Sequence, residues 1–275
     1  MRIAGLVFAA TFAGLGLWGL IGREFAAIWQ PVPKHWPARE ALMWATGLVA
    51  LGCGLGLLWK RTAAAAAGVL AAVLLAWLLV FKARVAVVAP GVAVVWENCG
   101  ETAVLTAAAW VLFATSGVRA PVVGGDTGVR LARILYGLAM IAFGVAHMAY
   151  AKETAALVPR WLPGHVTWAW AWATGAAYVA AGAAILVGAW ARLAATLSAV
   201  QMGLFTLLVW APVVARGHVS AGDWNETAVS WSLTAAGCVV AASYASAPWF
   251  AAKGLAVRGF VLGGPALAGR RAKRA

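Results

Sequence analysis

Apolar residues dominate eight long segments of the chain, and polar residues cluster between these segments. A helix needs about 20 mainly apolar residues to cross the roughly 30 Å hydrocarbon layer of a membrane. Backbone polar groups inside lipid must be satisfied within the segment itself, which favours helices. We therefore predict an all-α integral membrane protein with eight transmembrane helices, at 3–22, 41–59, 62–81, 101–117, 131–150, 166–188, 193–213 and 227–247.

A shorter apolar stretch, 85–95, lies between the third and fourth predicted helices. Pro90 and Gly91 stand at its centre, and proline interrupts a helix because it has no backbone N–H. Two interpretations stay open. The stretch either extends the fourth helix toward the N terminus or forms an interfacial or re-entrant segment.

The composition agrees with the segment pattern. Of the 275 residues, 64% are hydrophobic and 11% are charged, whereas a soluble domain is about half apolar and about a quarter charged. Such a chain cannot cover its surface with polar groups, so the excess apolar surface must face lipid. This excludes a soluble enzyme and a nucleic-acid-binding module. The three cysteines, Cys53, Cys99 and Cys238, contain no C-x-x-C pair and do not predict a disulfide framework.

The net charge of +13 reports orientation rather than a polyanionic partner. Eight crossings place both termini on one side of the membrane. If that side is the cytoplasm, the inner segments hold most of the Lys and Arg residues and a single acid, Asp126. The positive-inside rule therefore predicts cytoplasmic termini. We expect the first segment to be retained, because it is too long for a signal-peptide core and lacks a small-x-small cleavage site.

The chain contains an internal repeat. Residues 44–58 align with 172–186, including W-A-T-G in both, and Glu101-Thr-Ala-Val matches Glu226-Thr-Ala-Val further on, with offsets between about 125 and 131. An even number of helices in each unit predicts a parallel repeat about an axis along the membrane normal. The predicted organisation is a first four-helix unit, a cytoplasmic linker, a second four-helix unit and a basic cytoplasmic tail, at 1–118, 119–130, 131–250 and 251–275.

Carboxylates stand near the start of the fourth helix of each unit. Glu101 and Glu226 precede apolar runs, and Glu97 lies one turn before Glu101. An acid in the first turn complements the positive end of the helix dipole, and this is a sufficient structural explanation. The alternative is that these acids exchange protons with a bound ligand.

His147 lies about one turn from the end of the fifth predicted helix. Histidine is costly in lipid and faces the bundle or water there, so a pairing with Glu226 is a reasonable expectation. Trp161 and Trp224 lie near the same surface, as an aromatic belt or as the entrance for a flat hydrophobic ligand such as a quinone. No second histidine lies at metal-ligand spacing, and we predict no metal or haem site.

The second half resembles the DoxX-like family of small four-helix membrane proteins over 131–247, and the first half looks like a degenerate copy. The residues that carry the resemblance are Gly144-x-x-His147, the segment LVPRWLP at 157–163, Thr174-Gly175 and Arg192. Family members often have an acid shortly after the Thr-Gly pair, where this chain has Ala50 and Tyr178. The first half also has Gly22 where the second has His147.

The resemblance implies a bacterial inner-membrane protein linked to quinone or sulfur redox chemistry. In this hypothesis His147 and Glu226 exchange protons with a quinone head group that Trp161 and Trp224 flank, with Glu97 and Glu101 as secondary candidates. The chain has no cofactor motif of its own, so electrons come from a redox partner protein in the bilayer. The alternative is a non-catalytic scaffold or a carrier of a small apolar solute. Acids clustered only near the outer surface favour the redox or scaffold alternative, and a polar cavity that reaches the inner side favours a carrier.

Overall fold

The computed structural model describes residues 2–25, 32–159, 161–162 and 166–251, and these residues form helices joined by short connections, with no strand among them. Nearly all of the predicted basic tail, 252–275, lies outside the described residues. The helices are α1 (Arg2–Gly22), α2 (Arg39–Gly56), α3 (Ala63–Val88), α4 (Ala93–Ala114), α5 (Gly125–Ala149), α6 (Ala151–Leu157), α7 (Thr167–Val187), α8 (Ala191–Ala215) and α9 (Ala221–Ala242). Two π-helical segments interrupt them, Leu78–Ala83 within α3 and Thr206–Trp210 within α8.

Five helices are long and apolar enough to cross a membrane, namely α1, α3, α5, α7 and α8. This is the architecture of an all-α, multi-pass membrane protein. The other three long helices, α2, α4 and α9, have charged residues near their N-terminal ends. Helix α4 is surrounded by protein, since twelve of its 22 residues are buried, and a helix in a protein environment needs less hydrophobicity than one exposed to lipid.

Each of the eight predicted segments overlaps one long helix, but several boundaries differ. Helix α3 continues to Val88, and Pro90 and Gly91 form the turn before α4. Helix α4 begins at Ala93, eight residues before the predicted start. The stretch 85–95 is therefore divided between the end of α3, a turn and the start of α4. Helix α5 begins at Gly125, inside the segment predicted as a linker.

Helix boundaries recur after 128 residues. Helices α2 and α7 begin at Arg39 and Thr167, and α4 and α9 begin at Ala93 and Ala221. The two π-helical segments begin at Leu78 and Thr206, which are also 128 positions apart. The same local irregularity thus occurs at corresponding positions of α3 and α8.

The packing of neighbouring helices recurs with the same spacing. A Cβ on Gly16 of α1 would lie 2.3 Å from the backbone nitrogen of Leu51 in α2. A Cβ on Gly144 of α5 would lie 2.4 Å from the carbonyl oxygen of Gly175 and 2.8 Å from the backbone nitrogen of Val179 in α7. Both crossings therefore require glycine, because only glycine lets the two backbones come this close.

The fourth long helix of each half contacts the first helix of the other half. Helix α4 packs against α5, α9 packs against α1, and α4 and α9 pack against each other between them. One continuous core includes buried side chains from both halves, among them Phe8, Val104, Tyr136 and Val239. The centre of the protein is thus the region in which α4 and α9 meet.

Candidate functional site

A buried ion pair joins α3 to α4. Lys82 belongs to the π-helical segment of α3 and is 3% exposed. Its Nζ donates hydrogen bonds to the carbonyl oxygen of Asn98 at 2.8 Å and to Oε2 of Glu101 at 3.3 Å. A charged side chain among apolar helices is costly unless it is paired, and both bonds reduce that cost.

The pair lies well inside the two helices. Glu101 is eight residues from the start of α4, a rise of about 12 Å along the helix axis. Its side chain is 12% exposed. The first turn of α4 contains no acid, so complementing the helix dipole does not account for Glu97 or Glu101. In α9 the first-turn acid is Asp223, which forms a capping box with Ser220.

Two further carboxylates lie close to this pair. Glu97 precedes Glu101 by one turn of α4 and interacts electrostatically with Glu101 and with Glu226 of α9. Glu226 also interacts with Glu101. Of these three carboxylates, Glu101 is the one paired with the Lys82 ammonium. Three ionised carboxylates beside one ammonium would leave uncompensated negative charge next to apolar helices, so the cluster is suited to hold and exchange protons.

His147 lies in an aromatic environment on α5. Its Nδ1 is 2.9 Å from the carbonyl oxygen of Phe143. Because a carbonyl can only accept a hydrogen bond, Nδ1 is assigned the proton and Nε2 is left as an acceptor. The rings of Tyr178 and Phe205 stand edge-on to the imidazole, with centroids at 5.4 and 5.6 Å.

Tyr178 connects the histidine environment with the acids. Its ring contacts His147, and its phenol lies near the side chain of Gln201 and within electrostatic range of Glu97. Gln201 in turn donates from Nε2 to the carbonyl oxygen of Thr174 at 3.0 Å. Tyr178 and Gln201 therefore place polar groups of α7 and α8 on the side of the bundle that carries the carboxylates of α4.

The structure brings together some of the residues predicted from the sequence and separates others. Glu97, Glu101 and Glu226 lie within electrostatic range of one another, and these three residues are called the acid cluster below. His147 contacts Tyr178 instead of Glu226, and the described part of the chain contains no hydrogen bond or ion pair between His147 and Glu226. Trp161 and Trp224 are 68% and 45% exposed and lie on the surface.

The 128-residue spacing of the repeat pairs two residues with other positions than the sequence alignment does. With the 128-residue spacing of the glycine contacts, Glu226 corresponds to Asn98 and not to Glu101. In the same register His147 corresponds to Gly19 and not to Gly22. The two glutamates are therefore not equivalent positions of the two halves, although they meet at the same cluster.

Sequence reasoning missed Lys82. The predicted third helix ends at Phe81, which leaves Lys82 in the connection that follows it. The available signal was the apolar sequence that continues beyond it to Val88, which extends the helix and draws Lys82 inside. A lysine within a continuous apolar segment indicates a buried partner of opposite charge.

Among the described residues, no group of three or more His, Cys, Asp and Glu side chains could hold a metal ion. The three cysteines are free, with Cys53 and Cys99 buried and Cys238 exposed. The titratable groups at the site are the carboxylates, the ammonium of Lys82, the imidazole of His147 and the phenol of Tyr178.

No family model, no curated protein and no solved structure matches this chain. The resemblance to the DoxX-like family therefore stays a prediction that rests on the motifs of the second half.

Proposed function

We propose that the protein is an eight-span, DoxX-like membrane component of a quinone- or sulfur-linked redox system in the bacterial inner membrane. The two four-helix units would form a parallel repeat. Support for the repeat comes from the 128-residue spacing of helix starts, π-helical segments and glycine contacts. Support for eight spans comes from α2, α4 and α9, which pack along neighbouring apolar helices in the same bundle.

The proposed orientation places the acid cluster on the outer side and both termini in the cytoplasm. At the opposite end of the bundle, Arg133 donates from Nε to Oγ of Ser243 at 3.0 Å, and Arg192 donates from Nη1 to the carbonyl oxygen of Ala247 at 2.8 Å. Basic residues at that end and carboxylates at the other agree with the positive-inside rule.

The observation that carries the functional proposal is the buried Lys82–Glu101 pair, with two further carboxylates, Glu97 and Glu226, within electrostatic range of Glu101. Reduction of a quinone to a quinol takes up two electrons and two protons, and oxidation of the quinol releases them. Glu97, Glu101 and Glu226 would exchange these protons, and the Lys82 ammonium would donate a hydrogen bond to a head-group carbonyl. The electrons would pass to or from a redox partner protein.

The location of the acids also bears on the alternatives. A carrier needs polar groups along its whole path through the membrane, whereas these carboxylates all lie in the N-terminal halves of α4 and α9. Two cavities between the described helices, one at α1, α2 and α3 and one at α1 and α9, are lined mainly by apolar side chains. The arrangement therefore favours exchange at one surface, with a non-catalytic scaffold as the other outcome of the test.

The test is organic extraction of the purified, lipid-retaining protein, followed by mass spectrometry for quinones. We expect near-stoichiometric quinone in the wild type and strong depletion in Lys82→Met and Glu97→Gln. Glu153→Gln is the matched control, because Glu153 is an exposed carboxylate on α6. Recovery of bulk lipid alone from the wild type, at the level of a mock-purified membrane, contradicts the redox proposal and favours the scaffold.

A further inference from the structure

A groove of about 430 Å³ runs between α1 and α9. Val7, Gly14 and Trp18 line it on α1, and Ala228 and Trp231 line it on α9. It opens toward the outside of the bundle, where α1 exposes Leu6 and Leu17. The groove is separate from the acid cluster, because Glu226 points about 200° around α9 from Ala228 at 100° per residue.

The corresponding contact in the other half is closed. In the 128-residue register, Trp231 corresponds to Ala103 and Thr11 corresponds to Ala139. Both alanines are buried where α4 packs against α5. A Cβ on Gly100, which corresponds to Ala228, would lie 3.3 Å from the carbonyl oxygen of Ala139. Small residues therefore bring α4 and α5 together, whereas Trp231 holds α1 and α9 apart.

The polar side chains that line the groove already have partners. Nε1 of Trp231 donates to Oγ1 of Thr11 at 3.0 Å, and Thr11 donates to the carbonyl oxygen of Val7 at 2.9 Å. Ser232 donates to the carbonyl oxygen of Ala228 at 2.6 Å. Apart from the indole N–H of Trp18 at one end, the lining donors are in use, and the groove between them offers little to water, which needs two to four polar partners. Its surface is suited to a hydrocarbon occupant.

The groove has the length of one membrane leaflet. Val7 and Trp18 are eleven residues apart on α1, a rise of about 16 Å, and half of the roughly 30 Å hydrocarbon layer is about 15 Å. Trp224 lies four residues before Ala228 and so shares its face of α9. Trp18 and Trp224 therefore mark the end of the groove nearest the acid cluster, at the level that tryptophan prefers beside lipid head groups.

We propose that one acyl chain of a membrane phospholipid occupies the α1–α9 groove and completes the packing between the two halves. The head group lies at the Trp18 and Trp224 end. The occupant comes from the bilayer itself, which surrounds the open side of the groove. This site is independent of the proposed redox function.

The test fills the groove with a side chain. A Cβ on Gly14 has no atom within 4 Å, and a Cβ on Gly52 of α2 likewise meets open space. Gly14→Leu therefore blocks the groove without displacing a neighbour, and Gly52→Leu is the same change at a position outside it. Ala10→Leu is a second blocking variant, because Ala10 is exposed and lines the groove.

Native mass spectrometry of the protein in mild detergent measures the retained phospholipid. We expect one tightly bound phospholipid in the wild type and in Gly52→Leu, with occupancy at least about tenfold lower in Gly14→Leu and Ala10→Leu, because the blocked chain loses several buried methylene groups. Equal retention by all four proteins overturns the proposal. Loss of a quinone instead of a phospholipid also overturns it. Quinone retention should depend on Lys82 but not on Gly14, because the two sites are independent, so failure of the redox function and failure of the lipid site can be told apart.

Discussion

The ammonium of Lys82 lies 3.3 Å from Oε2 of Glu101, and this contact joins two helices that meet at the turn containing Pro90. The side chains of the pair are 2% and 12% exposed. The same ammonium also binds the carbonyl oxygen of Asn98, one turn earlier on α4. Lys82 thus fixes the end of α3 against the region of α4 that contains the acid cluster.

Breaking this pair on one side is expected to cost more than removing it. Lys82→Met leaves Glu101 buried without its cation, and we expect a loss of about 3–5 kcal/mol in the free energy of unfolding. The double variant Lys82→Met, Glu101→Gln removes both charges and should recover most of that loss. Thermal unfolding in detergent measures both effects. Additive losses from the two substitutions would show that the charges act independently.

The glycine crossings provide a test of the 128-residue register. Gly16→Ala and Gly144→Ala each place a methyl group within 2.4 Å of backbone in the neighbouring helix, so we expect both to destabilise the protein by about 1–3 kcal/mol. Gly52→Ala is the control, since its methyl group meets open space and alanine favours helix by up to about 1 kcal/mol. A stable Gly144→Ala protein beside an unstable Gly16→Ala protein would contradict equivalent packing in the two halves.

The helices could be predicted from the sequence because apolar length is a local signal. The helix boundaries near Lys82 and Glu97 could not be predicted in this way. The average hydropathy of a segment is lowered by each charged residue, whether or not that residue has a partner of opposite charge. Their burial depends on a contact between residues 82 and 101, which belong to different helices. The position of His147 beside Tyr178 and Phe205 likewise depends on the packing of three helices.

The number of residues that separates corresponding positions of the two halves also could not be predicted from local sequence. The identical run Glu-Thr-Ala-Val at 101–104 and 226–229 is the stronger local match, and it places Glu101 opposite Glu226. The close backbone contacts at Gly16 and Gly144 give 128 residues instead. Four identical residues in alanine-rich helices are weaker evidence for the alignment of the two halves than a helix crossing at which only glycine fits.

The number of spans can be tested by labelling single cysteines in a cysteine-free background. Eight spans place the α3–α4 turn outside and the α4–α5 connection inside. We expect Gly91→Cys to react with a membrane-impermeant maleimide in intact cells, and Ser116→Cys to react only after permeabilisation. Both positions are exposed. If only the five most apolar helices cross, Gly91→Cys lies on the inner side and stays unlabelled in intact cells.

The two nitrogens of His147 differ in their hydrogen-bonding capacity. Because Nδ1 is held by the carbonyl oxygen of Phe143, Nε2 is the atom available to accept a hydrogen bond from a ligand hydroxyl, such as that of a quinol. His147→Phe keeps an aromatic ring between Tyr178 and Phe205 but removes that acceptor. We expect it to weaken binding of a short-chain quinol by about three- to tenfold, the effect of one lost hydrogen bond.

His218→Phe is the matched control, because His218 is exposed in the connection before α9. Titration calorimetry of the purified variants gives the affinities. Unchanged quinol affinity in His147→Phe would assign the histidine to packing of α5, α7 and α8 and leave the acid cluster as the ligand-binding region.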